Sequence, residues 1–333
     1  MRAFICGLLG ETLLPEERAF LREAAPWGLI LFKRNVSTPE QVARLTSDVR
    51  DALGRDAPIL VDQEGGRVQR LGPPHWRAYP SAAKFERAVE DMDQRARLAW
   101  LGARLIAHDL REVGITVDCL PVLDTPEPDS HAIIGDRAYS RAPDGVARLG
   151  RAAAEGLLAG AVLPVIKHIP GHGRARADSH LELPVVSAPL DELRAVDFIP
   201  FRANADLPLA MTAHVVYTAI DPSAPGTLSK TVIGDIIRGE IGFDGLLMTD
   251  DLSMKALTGR FRARAEGAVA AGCDVVLHCN GDLTEGRPVA EGAPELTGRA
   301  LERAEAALAR IKVGAFDVAA ATREFDGAMT AVA

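Results

Sequence analysis

The strongest constraint on this chain is a regular alternation. Short β-rich runs recur eight times, at 3–9, 28–32, 58–62, 115–120, 162–168, 207–214, 245–250 and 273–279, each followed by a segment of helical composition. Strands alternating with helices build a parallel sheet, and eight is the number that closes a (β/α) barrel. A doubly wound open sheet is the structural alternative. The polar residues decide between them: Asp62, Asp118, Asp124, Lys167, His168, His214, Asp250, Asp251, His278 and Asn280 sit at or just past the ends of the β runs. In a barrel those ends converge on one rim, the rim that carries activity. The expectation is therefore an α/β chain forming a single (β/α)8 TIM-like barrel, one catalytic domain over 1–333, with a closing helix over about 294–313 and a short C-terminal tail.

Helix punctuation agrees with this division. Thr38 can cap the helix that begins after it, with Pro39 in the first turn and Gln41 closing a capping box. Gly54, Gly114, Gly160, Gly242 and Gly272 fall where helices should stop, as a left-handed C-terminal position requires.

Composition narrows the class. A net charge of -8, with arginines interspersed among Asp and Glu, lacks the basic footprint of a nucleic-acid binder. The four cysteines, Cys6, Cys119, Cys273 and Cys279, lie in apolar runs without CxxC spacing, which reads as buried small side chains in a reducing compartment. The first ten residues read as a strand rather than a signal peptide. No run approaches the roughly 18 apolar residues of a membrane span. A cytoplasmic protein, with no nucleic-acid or membrane partner and monomeric rather than oligomeric, is expected.

Four stretches carry chemistry-bearing residues. In 62–70, Asp62 is followed by the pair Gly65–Gly66, which permits positive φ or close backbone approach, and by Arg70, whose planar fork suits an oxygen-rich ligand. An ordinary surface turn with an Asp–Arg ion pair fits as well. Arg137 lies in a Pro-, Asp- and Ser-rich insertion over 124–139, a loop of functional length. The stretch 167–184 holds Lys167, His168, His172 and His180. Lys167 and His168 should face opposite sides unless the strand bends. The four-residue spacing of His168 and His172 would suit a metal on a helix, but Pro170, Gly171 and Gly173 forbid a helix there. Asp178 and His180 form the better pair, since a carboxylate that accepts one imidazole N–H leaves the other nitrogen as acid or base. The fourth stretch, 246–254, brings two adjacent carboxylates, Asp250 and Asp251, to a strand end. One should face the site and the other should turn away or cap the next segment, and the residues alone leave open which.

Together KHIPGHG with DSH, VDQEGGRVQRL, IGDRAY and MTDDLSM resemble the glycoside hydrolase family 3 β-N-acetylhexosaminidases, specifically the single-domain bacterial enzymes of cell-wall recycling. The similarity runs in order from residue 28 to residue 277. It implies a barrel, retaining hydrolysis of terminal β-linked N-acetylglucosamine, a small N-acetylglucosaminide or muropeptide substrate such as 1,6-anhydro-N-acetylmuramyl peptides, and no metal or organic cofactor. It selects Asp250 as nucleophile, His180 as general acid/base with Asp178 as partner, and Asp62, Arg70, Arg137, Lys167 and His168 as sugar-binding positions. His172 is left as structural. Two departures stand out: Ile169 where the family often has Phe, and Arg174-Ala175-Arg176 in place of a more Thr/Asp-rich segment. Alternatives on the same scaffold are an N-acetylglucosaminide phosphorylase and a metal-dependent barrel hydrolase built on His168, His172, His180 and an Asp.

Overall fold

The computed structural model describes residues 1–333 apart from 129–131, 176, 178, 180–181, 313 and 331–333. Eight parallel strands close into a barrel: β1 (Arg2–Cys6), β2 (Pro26–Leu31), β3 (Ile59–Val61), β4 (Val117–Asp118), β5 (Leu163–Ile169), β6 (Leu209–Thr212), β7 (Leu246–Asp251) and β8 (Val275–His278). They pair in chain order, and β8 returns to β1 through Phe4 opposite Val276. Each of the eight predicted runs overlaps one strand, so the closed barrel holds and the open sheet does not.

The strands are apolar on both faces because both faces are buried. Inside the barrel, Ala3, Ile5, Leu60, Val117, Leu163, Val165, Leu209, Met211, Leu246, Met248, Val275 and Leu277 form one core. The alternate residues, among them Phe4, Leu29, Ile59, Ile166, Ala210, Leu247 and Val276, pack outward into a second core under the helices. This parity positions the site. Leu60, Leu163 with Val165, and Leu246 with Met248 point inward, so two residues further on Asp62, Lys167 and Asp250 continue the inward face at the rim.

The surrounding helices include α1 (Pro15–Ala24), α2 (Pro39–Leu53), α3 (Ala83–Ala88), α4 (Met92–Glu112), α5 (Pro143–Ala159), α6 (Leu190–Ala195), α7 (Phe198–Ala203), α8 (Phe261–Ala271), α9 (Leu283–Gly292), α10 (Gly298–Leu308) and α11 (Val318–Met329). The segment Val232–Glu240 is wound as a π-helix. Among the described residues no helix is long and apolar enough to cross a membrane.

Three local expectations are corrected. Thr38 caps α2 by accepting the Gln41 N–H at 3.3 Å, but Gln41 does not close the box; its Oε1 takes the Ser37 N–H while its amide donates to Glu11 and Asn35 carbonyls. Gly54, Gly114, Gly242 and Gly272 have positive φ, whereas Gly160 does not, and Ala161 takes the left-handed position at φ 60°. Gly160 is there for space: a Cβ would stand 2.3 Å from the Ala107 Cβ of α4. Residues 318–329, expected as a tail, form a helix. Residues 294–296 run extended beside β1, with Ala3 donating to Pro294 and Leu296 to Met1, so α10 begins only at Gly298. After it, α11 is capped by Asp317 and docks Phe325 against Phe85 and α4.

Candidate active site

The C-terminal ends of the strands enclose a cleft of about 270 Å³. Asp62, Glu64, Arg67, Arg70, Arg137, Lys167, His168, His172, Ser179, Asp250 and Asp251 line it together with apolar residues such as Phe32, Met211 and Met254. Six sequence-selected residues, Asp62, Arg70, Arg137, Lys167, His168 and Asp250, therefore meet in one place. Asp178 and His180 lie outside the described residues, while Ser179 between them in sequence is buried and lines the cleft.

Its floor is a chain of alternating charges. Arg70 donates to Asp62 at 3.0 Å, the Lys167 ammonium lies 2.8 Å from Asp62 and 2.6 Å from Glu64, and Arg137 grips both oxygens of Glu64 at 2.8 Å each. Burial alone would raise the two carboxyls, but the cations outweigh it: Lys167 and Arg70 hold Asp62 well below the usual carboxylate range, and Arg137 and Lys167 hold Glu64 down to about 2. Burial pulls Lys167 the other way, and the two carboxylates more than restore its charge. Asp62, Glu64 and Lys167 are ionised throughout the neutral range.

A short hairpin, Gln63–Gly65 with Val68–Gln69, aims its ends. Gly65 and Gly66 have φ of 87° and 56°, and a Cβ on Gly65 would stand 2.2 Å from the Pro80 carbonyl oxygen, so both predicted uses of the paired glycines are realised. The buried Gln63 side chain accepts from the N–H groups of Arg70 and Leu71, which fixes where Arg70 leaves the hairpin. Arg137 stands on a single 3-10 turn, Gly135–Arg137, within the insertion.

Lys167 and His168 both face the cleft. The β5–β6 register shifts between Lys167 and Ile169, which is the bend the alternation rule required. His168 donates from Nδ1 to Asp124 at 2.7 Å. Asp124 also accepts the N–H groups of His168 and His172, and although burial acts to raise its carboxyl, His168 holds it below its usual value. His172 is more than a turn residue: its ring lies 5.6 Å from that of His168, lines the cleft and keeps a buried Nδ1 that has no hydrogen-bond partner among the described residues. Burial, with His168 adding to it, pulls its pKa down to about 4. Among the described residues, no three His, Cys, Asp or Glu side chains are grouped to hold a metal ion.

At the end of β7 the two carboxylates divide. Asp250 is 8% exposed in the cleft, and its Oδ1 accepts the Asp251 N–H at 2.8 Å. Asp251 accepts the N–H groups of Ser253 and Cys279 and the Ser253 hydroxyl, holding the turn at the strand's end. Sequence reasoning missed Glu64 and left Asp124 and His214 without roles. Glu64 could have been found as the one acid between Asp62 and Arg70, but nothing in sequence marked it as buried.

Residues 12–313 match the Glycosyl hydrolase family 3 N terminal domain. A Beta-hexosaminidase of Methylococcus capsulatus is 41% identical over 303 residues, covering 90% of this chain and 85% of that protein. NagZ from Neisseria gonorrhoeae, solved in complex with N-trifluoroacetyl-D-glucosamine, superposes with a TM-score of 0.85 at 31% identity, covering 99% of this chain and 96% of the other. A glycoside hydrolase family 3 beta-N-acetylglucosaminidase from Paenibacillus gives a TM-score of 0.86 at 31% identity; this chain, 95% covered, spans 62% of that longer one.

Proposed function

The chain belongs to glycosyl hydrolase family 3, and we propose that within it the protein is a retaining β-N-acetylglucosaminidase working through a covalent glycosyl–Asp250 intermediate. The observation that carries this reading is the placement of the nearly buried Asp250 carboxylate in the same cleft as the Asp62–Lys167–Glu64–Arg137 array. Carboxylates and fixed cations in alternation offer acceptors and donors to sugar hydroxyls, and they do so without reorganising. Asp62, Arg70, Arg137, Lys167 and His168 hold the terminal sugar so that its anomeric carbon meets Asp250.

Asp250 attacks that carbon while protonated His180 donates to the departing oxygen. His180, now neutral, then deprotonates a water that attacks from the face the leaving group vacated, and Asp250 is released with configuration retained. Asp178 accepts the other imidazole N–H and fixes the tautomer. Ser179, their neighbour in sequence, lines the cleft and so supports this assignment. An imidazole suits both steps because its unperturbed pKa, about 6.5, lets it act as acid and then as base. The resemblance to single-domain bacterial enzymes extends the proposal to 1,6-anhydro-N-acetylmuramyl peptides as substrates and to cell-wall recycling in the cytoplasm as the setting. The test is turnover of an aryl N-acetyl-β-glucosaminide by the wild type and by Asp250→Ala. Loss of turnover in the variant is expected; near-normal turnover contradicts the reading.

A further inference from the structure

His214 lies just past β6, is fully buried, and takes no part in the sugar-binding array. Its Nε2 is 3.0 Å from the Asp251 carbonyl oxygen and its Nδ1 is 2.7 Å from the Thr227 hydroxyl. A carbonyl can only accept, so Nε2 carries the proton. Burial lowers the His214 pKa and keeps the ring neutral, which makes Nδ1 an acceptor for the Thr227 O–H. Thr227 in turn lies 2.8 Å from the Thr212 hydroxyl, which can donate to it. The four groups form one ordered chain, Thr212 to Thr227 to His214 to the Asp251 carbonyl.

The backbone explains why such a chain is needed. The β7–β6 ladder pairs Leu246, Leu247 and Met248 with Leu209, Ala210 and Met211 and then stops, two residues short of Asp250. On its other side β7 stays tied to β8, through Asp251 opposite Leu277 and through the Cys279 N–H on the Asp251 carboxylate. The Asp251 carbonyl also accepts the Met254 N–H at 3.1 Å, but that donor belongs to the same turn and moves with it. Among the described residues, the His214 bond ties the strand end to the β6 wall.

We propose that His214 is a positioning residue for the nucleophile: by holding the Asp251 carbonyl it fixes the residue whose N–H orients the Asp250 carboxylate. This rests on the assignment of Asp250 given above. A carboxylate displaced by about 1 Å at a reacting centre loses on the order of a hundredfold in rate, with little change in the binding of a sugar held by other side chains.

Kinetics of three variants on an aryl N-acetyl-β-glucosaminide test the proposal, with Tm measured for each. A glutamine amide nitrogen reaches the position of imidazole Nε2, whereas an asparagine reaches that of Nδ1. His214→Ala should therefore lose about a hundredfold in kcat at essentially unchanged KM, His214→Gln should restore most of the loss, and His214→Asn should not. Wild-type kcat in His214→Ala overturns the proposal. So does a loss in which Gln and Asn behave alike and kcat tracks the fall in Tm. Asp250→Ala with added azide separates this from the underlying reading: recovery of turnover as a glycosyl azide upholds the nucleophile whatever the His214 series shows, and undiminished turnover without azide removes it.

Discussion

The Lys167 ammonium sits 2.6 Å from Glu64, and neither side chain is more than 3% exposed. Both Glu64 oxygens also accept from Arg137, so one buried carboxylate sets two of the cations proposed to hold the sugar. A buried pair of this kind is costly to break from one side, because the partner is left charged without compensation.

Glu64→Gln keeps the shape and removes the charge. It should raise KM by about tenfold to a hundredfold, the range for one or two charge-assisted hydrogen bonds, with a smaller fall in kcat. Steady-state kinetics on the aryl substrate check this, and an unchanged KM would remove Glu64 from the binding array.

His172 makes stability pH-dependent in a definite direction. Its folded-state pKa is depressed to about 4, while an unfolded chain titrates near 6.5. As pH falls between those values the unfolded chain takes up a proton that the folded one refuses, so the stability present above about 6.5 is progressively lost. Replacing His172 with Gln should flatten the dependence of Tm on pH across that window relative to wild type. The two profiles running parallel would contradict the assignment.

The charges of the cleft bear on the choice between hydrolysis and phosphorolysis. Among the described residues, each cation that lines it, Arg67, Arg70, Arg137 and Lys167, is already paired with a carboxylate. A phosphate dianion acting as acceptor would have to displace one of these. Turnover should therefore be insensitive to added phosphate and release free N-acetylglucosamine; a phosphate-stimulated rate with a sugar 1-phosphate as product would reverse the reading.

The last helix is a structural member. Phe325 is 1% exposed, faces Phe85 with ring centroids 6.2 Å apart and reaches Gly102 of α4, while Arg97 of α4 bonds Glu324 through two nitrogens. Phe325→Ala should cost about 3–5 kcal/mol in denaturant unfolding. A cost near zero would mean that α11 does not contribute to the folded core.

The barrel was legible because eight apolar runs with polar ends leave few other architectures. Facing was not legible, for the same reason: strands buried on both sides show no alternation, and only the packed register reveals that Leu246, Met248 and Asp250 share the inner face. Lys167 and His168 illustrate the limit. Alternation allowed one of them into the site, and a backbone bend that no residue type announces admits both. Glu64 and His214 stayed without roles because each acts through a partner distant in sequence, Glu64 through Lys167 and Arg137 and His214 through Asp251. Residues 318–329 were missed because an Ala-rich segment after an apparent closing helix resembles a tail until its docking surface on α3 and α4 is present.

The proposed mechanism stands or falls on a covalent bond between the sugar and Asp250. Mass spectrometry of the protein after incubation with a fluorinated N-acetylglucosaminide looks for that bond itself. One sugar adduct, mapped by peptide digestion to Asp250, is the expected result; turnover without any adduct, or an adduct on a different residue, would contradict it.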